Sequence, residues 1–163
     1  YIKKAGLEVK VERQFYKLVR KEDQNIRAGV NGKVIKANQE AYERILIKDQ
    51  DTLKSGDLIE VELEIDSKND YEYIVFEDLK AAGFEAVDVR SGYTNNGFHA
   101  YREMRNDRVT FFVTSLPRGK HNIKYRLRAE IPGKFSALPA KVYANYAPEL
   151  KGNSSEIKIS IID

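Results

Sequence analysis

The sequence predicts an all-β fold, a β-sandwich or barrel, on three observations. Apolar and polar residues alternate with a period of two in segment after segment. Turn-forming residues interrupt these segments about every 8–12 positions, the spacing of short antiparallel strands. No stretch shows a convincing long helical period.

Taken in order, Leu7, Val9 and Val11 alternate with Glu8, Lys10 and Glu12, which predicts a half-buried strand. Arg13 to Val19 continues it as an extended, aromatic-bearing segment, and Lys21 to Asn25 is a polar loop. Asn31-Gly32 is a hairpin signal between Ile26–Val30 and Val34–Ile35. Ala41 to Ile47 reads as a strand, with a short helix as the alternative, because Ile45-Leu46-Ile47 is β-rich. After the turn at Lys54 to Asp57 comes the clearest strand: Ile59, Val61, Leu63 and Ile65 on one face, and Glu60, Glu62, Glu64 and Asp66 on the other.

Beyond the turn at Ser67 to Asp70 lies the stretch that organises the chain, Tyr71 to Glu85. An aromatic and β-branched strand runs into the acidic step Glu77-Asp78 and the small-residue turn Ala81-Ala82-Gly83, and Phe84 re-enters the core. Gly83 is expected in a backbone conformation that a side chain would strain. Phe84 to Val89 predicts a strand ended by Ser91-Gly92, and Asn95-Asn96-Gly97 a turn. Val109, Phe111 and Val113 alternate with Thr110, Phe112 and Thr114. Leu116 to Lys120 turns the chain into a strand with Ile123, Tyr125, Leu127 and Ala129 on one face and Lys124, Arg126, Arg128 and Glu130 on the other. Pro132-Gly133 ends it, Ala140 to Tyr146 is a further strand closed by Ala147-Pro148-Glu149, and Ile157, Ile159 and Ile161 mark the last. The expected core is the inward row of these strands, including Ile157 and Ile159.

A chain of 163 residues is one domain able to bury a sizeable core, 1–163, with 25–51 as a candidate inserted hairpin. No apolar run approaches the 18 or so residues of a membrane helix. The chain opens on Tyr1, as a piece cut from a longer protein would. With 28 basic and 25 acidic residues the balance is too even for a nucleic-acid surface. The absence of cysteine excludes thiol chemistry but fixes no compartment.

No set of residues reads as catalytic, metal-binding or cofactor-binding. His99 and His121 sit apart beside turns, without metal-ligand spacing. The carboxylate row Glu60 to Asp66 offers a surface for a cation or a basic partner, but reads better as a solvated sheet face answered by cross-strand Lys or Arg. The basic row Lys124, Arg126 and Arg128 reads as the complement of that face rather than a nucleic-acid platform. Glu77 and Asp78 are adjacent on a strand and point opposite ways, and one is expected to accept backbone N–H bonds from the following turn. Asn153-Ser154-Ser155 has the form of a glycosylation acceptor, a pattern too common to carry weight.

A family becomes visible in the ordered series Asp78, Ala82-Gly83-Phe84-Glu85, Ser91-Gly92-Tyr93, Tyr101-Arg102-Glu103, Val109-Thr110-Phe111-Phe112, Leu116-Pro117-Arg118-Gly119, Tyr125 to Ala129, Pro132 to Phe135, Leu138-Pro139-Ala140 and Tyr146 to Glu149. With the lead-in at Gly56-Asp57, this series resembles the last domain (MG10, receptor-binding-type) of bacterial α2-macroglobulin-like proteins. Lys80-Ala81 stands where many bacterial members have a proline, and 25–51 fits the pattern poorly. The Lys-bearing helix that animal clearance receptors recognise has no counterpart, so receptor binding is not carried over.

The resemblance implies a macroglobulin-type antiparallel β-sandwich, with at most one short helix, from the C-terminal end of a large periplasmic or extracellular protein. Such proteins look like protease traps, in which cleavage of a bait segment triggers a rearrangement that cages the protease. The implied role here is non-catalytic: packing against neighbouring domains and responding to the rearrangement. The implied partners are other domains of the parent chain, and proteases through the full-length protein, with no cofactor, no nucleic acid and no membrane insertion by this piece itself; anchoring to a membrane through other parts of the parent is the alternative to a free periplasmic or extracellular protein. The runner-up is a stand-alone secreted adhesion or carbohydrate-binding sandwich that uses its tyrosines as a platform. For an interface, turn-proximal aromatics outside the expected core are the candidates: Tyr93, Phe98, Tyr101 and Tyr146.

Overall fold

The computed structural model describes residues 8–21, 42–87, 92–95, 99–144, 147–153 and 155–163. These form fourteen strands and no helix. In chain order they are β1 (Val9–Arg20), β2 (Tyr42–Ile47), β3 (Thr52–Lys54), β4 (Leu58–Ser67), β5 (Tyr71–Leu79), β6 (Phe84–Ala86) and β7 (Gly92–Asn95). There follow β8 (His99–Met104), β9 (Arg108–Leu116), β10 (Gly119–Ala129), β11 (Gly133–Ala137), β12 (Lys141–Ala144), β13 (Ala147–Asn153) and β14 (Ile157–Ile162).

A five-stranded sheet runs β2-β1-β4-β10-β6, a six-stranded sheet β13-β12-β5-β9-β8-β7, and a small three-stranded sheet β11-β14-β3. The two large sheets are antiparallel throughout, and the β14–β3 pair is parallel. Their inner faces meet in a sandwich: the Phe111 ring of β9 lies 6.2 Å from the Tyr125 ring of β10. The fold is the expected antiparallel β-sandwich, and the segment read as strand or helix is the strand β2.

The alternating rows behave as period-two patterning requires. Ile59, Val61, Leu63, Ile65, Val109, Phe111, Val113, Ile123, Tyr125, Leu127 and Ile159 are buried, and Ile157 is half-buried against the same core. In β5 alternation fails for a backbone reason. Tyr71 packs on the core and Ile74 is buried, three positions apart, and between them Tyr73 takes φ 54°. The facing Leu116 and Val113 of β9 are likewise buried three apart, so both strands shift phase together.

Five strands were not anticipated. β3 is three residues long, β7 and β8 lie on either side of the turn expected at Asn95 to Gly97, β11 begins on the glycine of the Pro-Gly break, and β13 contains Pro148. As the last strand of its sheet β13 tolerates a residue with no N–H. The strand expected over Phe84 to Val89 spans Phe84–Ala86, with 88–89 outside the described residues. The Asn31-Gly32 hairpin, most of the candidate insertion 25–51 and the polar loop beyond Lys21 also lie outside them.

Gly83 departs from expectation in its cause. Positive φ occurs at Gly56, Gly92, Gly119 and Gly133, not at Gly83. What requires glycine there is the Phe135 ring of β11, whose atoms would lie 2.7 Å or less from a Cβ. The Gly83 carbonyl also accepts bonds from the Glu130 and Ile131 amides, at 2.9 and 3.2 Å, so the turn cannot easily retreat. Gly83→Val is therefore expected to destabilise by about 1–3 kcal/mol through overpacking, read as a lowered midpoint in a denaturant melt.

Candidate domain-docking face

Two places concentrate side chains that a solvated sandwich does not require. One is the outward face of the six-stranded sheet. Its registers align Tyr93 with Tyr101, Tyr101 with Phe112, Phe112 with Val75, and Val75 with Tyr143. Four consecutive strands thus contribute Tyr101, Phe112, Val75 and Tyr143 to a single cross-strand row, at the 4.5–5.5 Å or so spacing of directly opposed pairs, and the backbone register extends it to Tyr93.

Tyr101 and Phe112 are 37% and 39% exposed, and Tyr143 is half-buried. Val75 is only 2% exposed although its strand neighbours Ile74 and Phe76 point into the core. Tyr73, 55% exposed, precedes Val75 by two residues at the strained φ noted above. The next row carries Glu103, Thr110, Glu77 and Lys141. Glu77 pairs with Arg108 at 3.4 Å and accepts a long 3.4 Å bond from the Tyr143 hydroxyl, and Glu103 pairs with Arg105. Burial, with Glu77 beside it, raises the Tyr143 pKa. An apolar stripe bordered by charges paired within the domain is the anatomy of a contact surface.

Of the four predicted interface aromatics, the structure sets Tyr93 opposite Tyr101 across the β7–β8 pair. Phe98 and Tyr146 lie outside the described residues. Phe112, Val75 and Tyr143 were missed. Phe112 carried a signal: it is a large aromatic in the outward phase of a strand whose inward phase is Val109, Phe111 and Val113.

The second place is inside the sandwich. Asp78 of β5 and Arg13 of β1 have side chains 1% exposed and pair at 2.5 Å. The Tyr125 hydroxyl of β10 donates to the other carboxylate oxygen. The guanidinium also donates to the Ala137 and Ser155 carbonyls, at 3.0 and 3.3 Å, and sits 4.9 Å from the Phe15 ring centroid. Burial raises the Asp78 pKa, with Arg13 and Tyr125 pulling against it. The Tyr125 hydroxyl is pushed well up by burial and by the adjacent carboxylate. Asp78 and Glu77 do point opposite ways, but the expectation that one serves the following turn is corrected. Asp78 accepts from two side chains across the sandwich, not from turn amides.

The charged rows lie on the outward face of the five-stranded sheet and answer each other. Glu62 pairs with Arg44 at 3.1 Å and Lys124 at 3.6 Å, and Glu60 with Arg44 at 3.0 Å. Arg44 stacks 3.9 Å over Tyr16, and Arg126 5.3 Å over Tyr42. Glu60 and Glu62 are buried beneath these partners, where an open solvated row was expected. Among the described residues no three His, Cys, Asp or Glu side chains group as a metal site.

A two-sheet antiparallel sandwich with a small third sheet is the architecture of a macroglobulin-type domain. The model of the bacterial alpha-2-macroglobulin MG10 domain matches residues 9–149, and the chain belongs to that family. An alpha-2-macroglobulin homolog of Nostoc sp. is 30% identical over 118 residues, covering 68% of this chain and 6% of that protein. A circularly permutated Ras protein of Dictyostelium discoideum is 26% identical over 106 residues, 65% of this chain and 3% of that protein. The Escherichia coli alpha-2-macroglobulin fragment from domain MG7 to the C-terminus superposes with a TM-score of 0.66 at 18% identity, covering 97% of this chain and 24% of that one. Salmonella alpha-2-macroglobulin reacted with methylamine gives 0.63 at 18%, covering 95% and 9%. The chain is thus a small part of the length of these relatives, and the solved structures establish the likeness of fold.

Proposed function

We propose that this is a non-catalytic, C-terminal domain of a periplasmic or extracellular α2-macroglobulin-like protease-trapping protein. It packs against neighbouring domains of its parent chain through the aromatic face of the six-stranded sheet and responds there to the trap's rearrangement. The observation that carries this is the row Tyr101–Phe112–Val75–Tyr143, an apolar stripe continuous across four strands and extended in register to Tyr93. Tyr supplies contact area with a polar tip, which suits an interface that must later open. The strained Tyr73 beside it supports the reading, since backbone strain tends to be kept where a side chain is needed at a surface.

The test is hydroxyl-radical footprinting of Tyr101, Phe112 and Tyr143 in this chain alone and in the longer parent chain. Several-fold protection in the parent is expected, with partial loss after protease cleavage. Equal labelling in both would contradict the docking assignment. This chain alone is expected neither to hydrolyse a protein substrate nor to inhibit a protease, because its sequence suggests no nucleophile paired with a base and the trapping mechanism that the resemblance implies needs further domains. Stoichiometric inhibition by the isolated chain would refute the assignment.

A further inference from the structure

Arg13 joins parts of the molecule that no backbone ladder connects. The small sheet β11-β14-β3 pairs with neither large sheet, and β12, which carries Tyr143, follows β11 after three residues. The Arg13 side chain reaches both seams. Its Nη2 donates to the Ala137 carbonyl, the last residue of β11, and to Ser155, two residues before β14. Its Nη1 is fixed by Asp78 of β5, which Tyr125 fixes in turn. One planar guanidinium thus ties a strand of the five-stranded sheet to a strand of the six-stranded sheet, to β11 and to the segment that leads into β14.

We infer that Arg13 is a positioning residue for the docking face, with Asp78 and Tyr125 holding its fork. By fixing the Ala137–Ala140 connection it sets where β12 enters beside β5, and so where Tyr143 stands in the aromatic row. Its Nε is buried without a hydrogen-bond partner, so the side chain is held by the fork atoms rather than by satisfaction of every donor. Arginine is required because two bonds to carbonyls and one to a carboxylate must diverge from one rigid plane, which an ammonium on a flexible stem does not supply.

The inference rests on the docking reading only for its consequence at Tyr143; the coupling itself is measured on this chain without a partner. Amide hydrogen exchange of Arg13→Lys and Arg13→Met is compared with the parent sequence. Exchange in 137–144 and 155–158 is expected to rise about tenfold or more, with β4 and β9 unchanged, as a local opening does. Radical labelling of Tyr143 should rise in both variants while that of Phe112 stays constant. Arg13→Lys keeps the charge opposite Asp78, so it stays informative if Arg13→Met does not fold. An Arg13→Lys chain with unaltered exchange in both segments, or with exchange raised equally in every strand, overturns the inference. The expected rise in local exchange, together with equal footprints in this chain alone and in the longer parent chain, would instead sink the docking reading and leave the positioning role standing.

Discussion

Asp78→Ala is expected to destabilise the domain by about 3–5 kcal/mol, the cost of leaving a buried partner charge uncompensated. Its removal strands the Arg13 guanidinium and the Tyr125 hydroxyl, both sealed between the sheets. The pH dependence of this effect has a defined sign. Burial raises the Asp78 pKa in the folded chain above its unfolded value. Its titration therefore contributes stability that is fully present below the unfolded pKa and is lost as pH rises through the folded one. The stability gap between the parent sequence and Asp78→Ala should narrow as pH rises through that window. Urea melts over a pH series read both effects; a gap that widens with rising pH would mean that Arg13 and Tyr125 outweigh burial.

Phe111→Ala is expected to cost about 3–5 kcal/mol, as a large cavity in a core does. Phe111 has no exposed surface, opposes Phe76 in register and meets Tyr125 from the other sheet. Its neighbour Phe112 points the other way, and Phe112→Ala should cost about 1 kcal/mol or less in this chain alone. The contrast between adjacent phenylalanines tests the register directly: equal losses would mean that the outer face is packed within the domain and not available for docking.

The rows on β4, β9 and β10 were legible in the sequence because a strand with one face buried must repeat its apolar residues every second position. The aromatic face was only partly legible. A cross-strand row is assembled from four separate strands, and single-strand patterns do not reveal which residues become opposite. Phe112 was visible as an aromatic in the outward phase, whereas Tyr143 sits in a four-residue strand with too little pattern to phase. The charge cluster was hidden for a different reason. Arg13 falls in the same phase as Val9, Val11 and Phe15, an inward position, but a buried arginine is legible only if its distant carboxylate is known to face it. Gly83 was read as a conformational glycine because the ring that crowds it comes from Phe135, 52 residues later (135 − 83). The register between distant strands decided the aromatic row, and packing between separate sheets and turns decided the charge cluster and Gly83.

The central claim is that the aromatic face of the six-stranded sheet covers a neighbouring domain. The most direct measurement is a high-resolution structure of the longer chain in its uncleaved state, scored by solvent exposure of Tyr101, Phe112 and Tyr143. The account predicts that another domain lies across these rings and that Phe112 falls from its present 39% exposure to the level of a core residue. A structure in which the three rings stay open to solvent while the neighbour rests on the charged face carrying Glu60, Glu62 and Arg44 would contradict it.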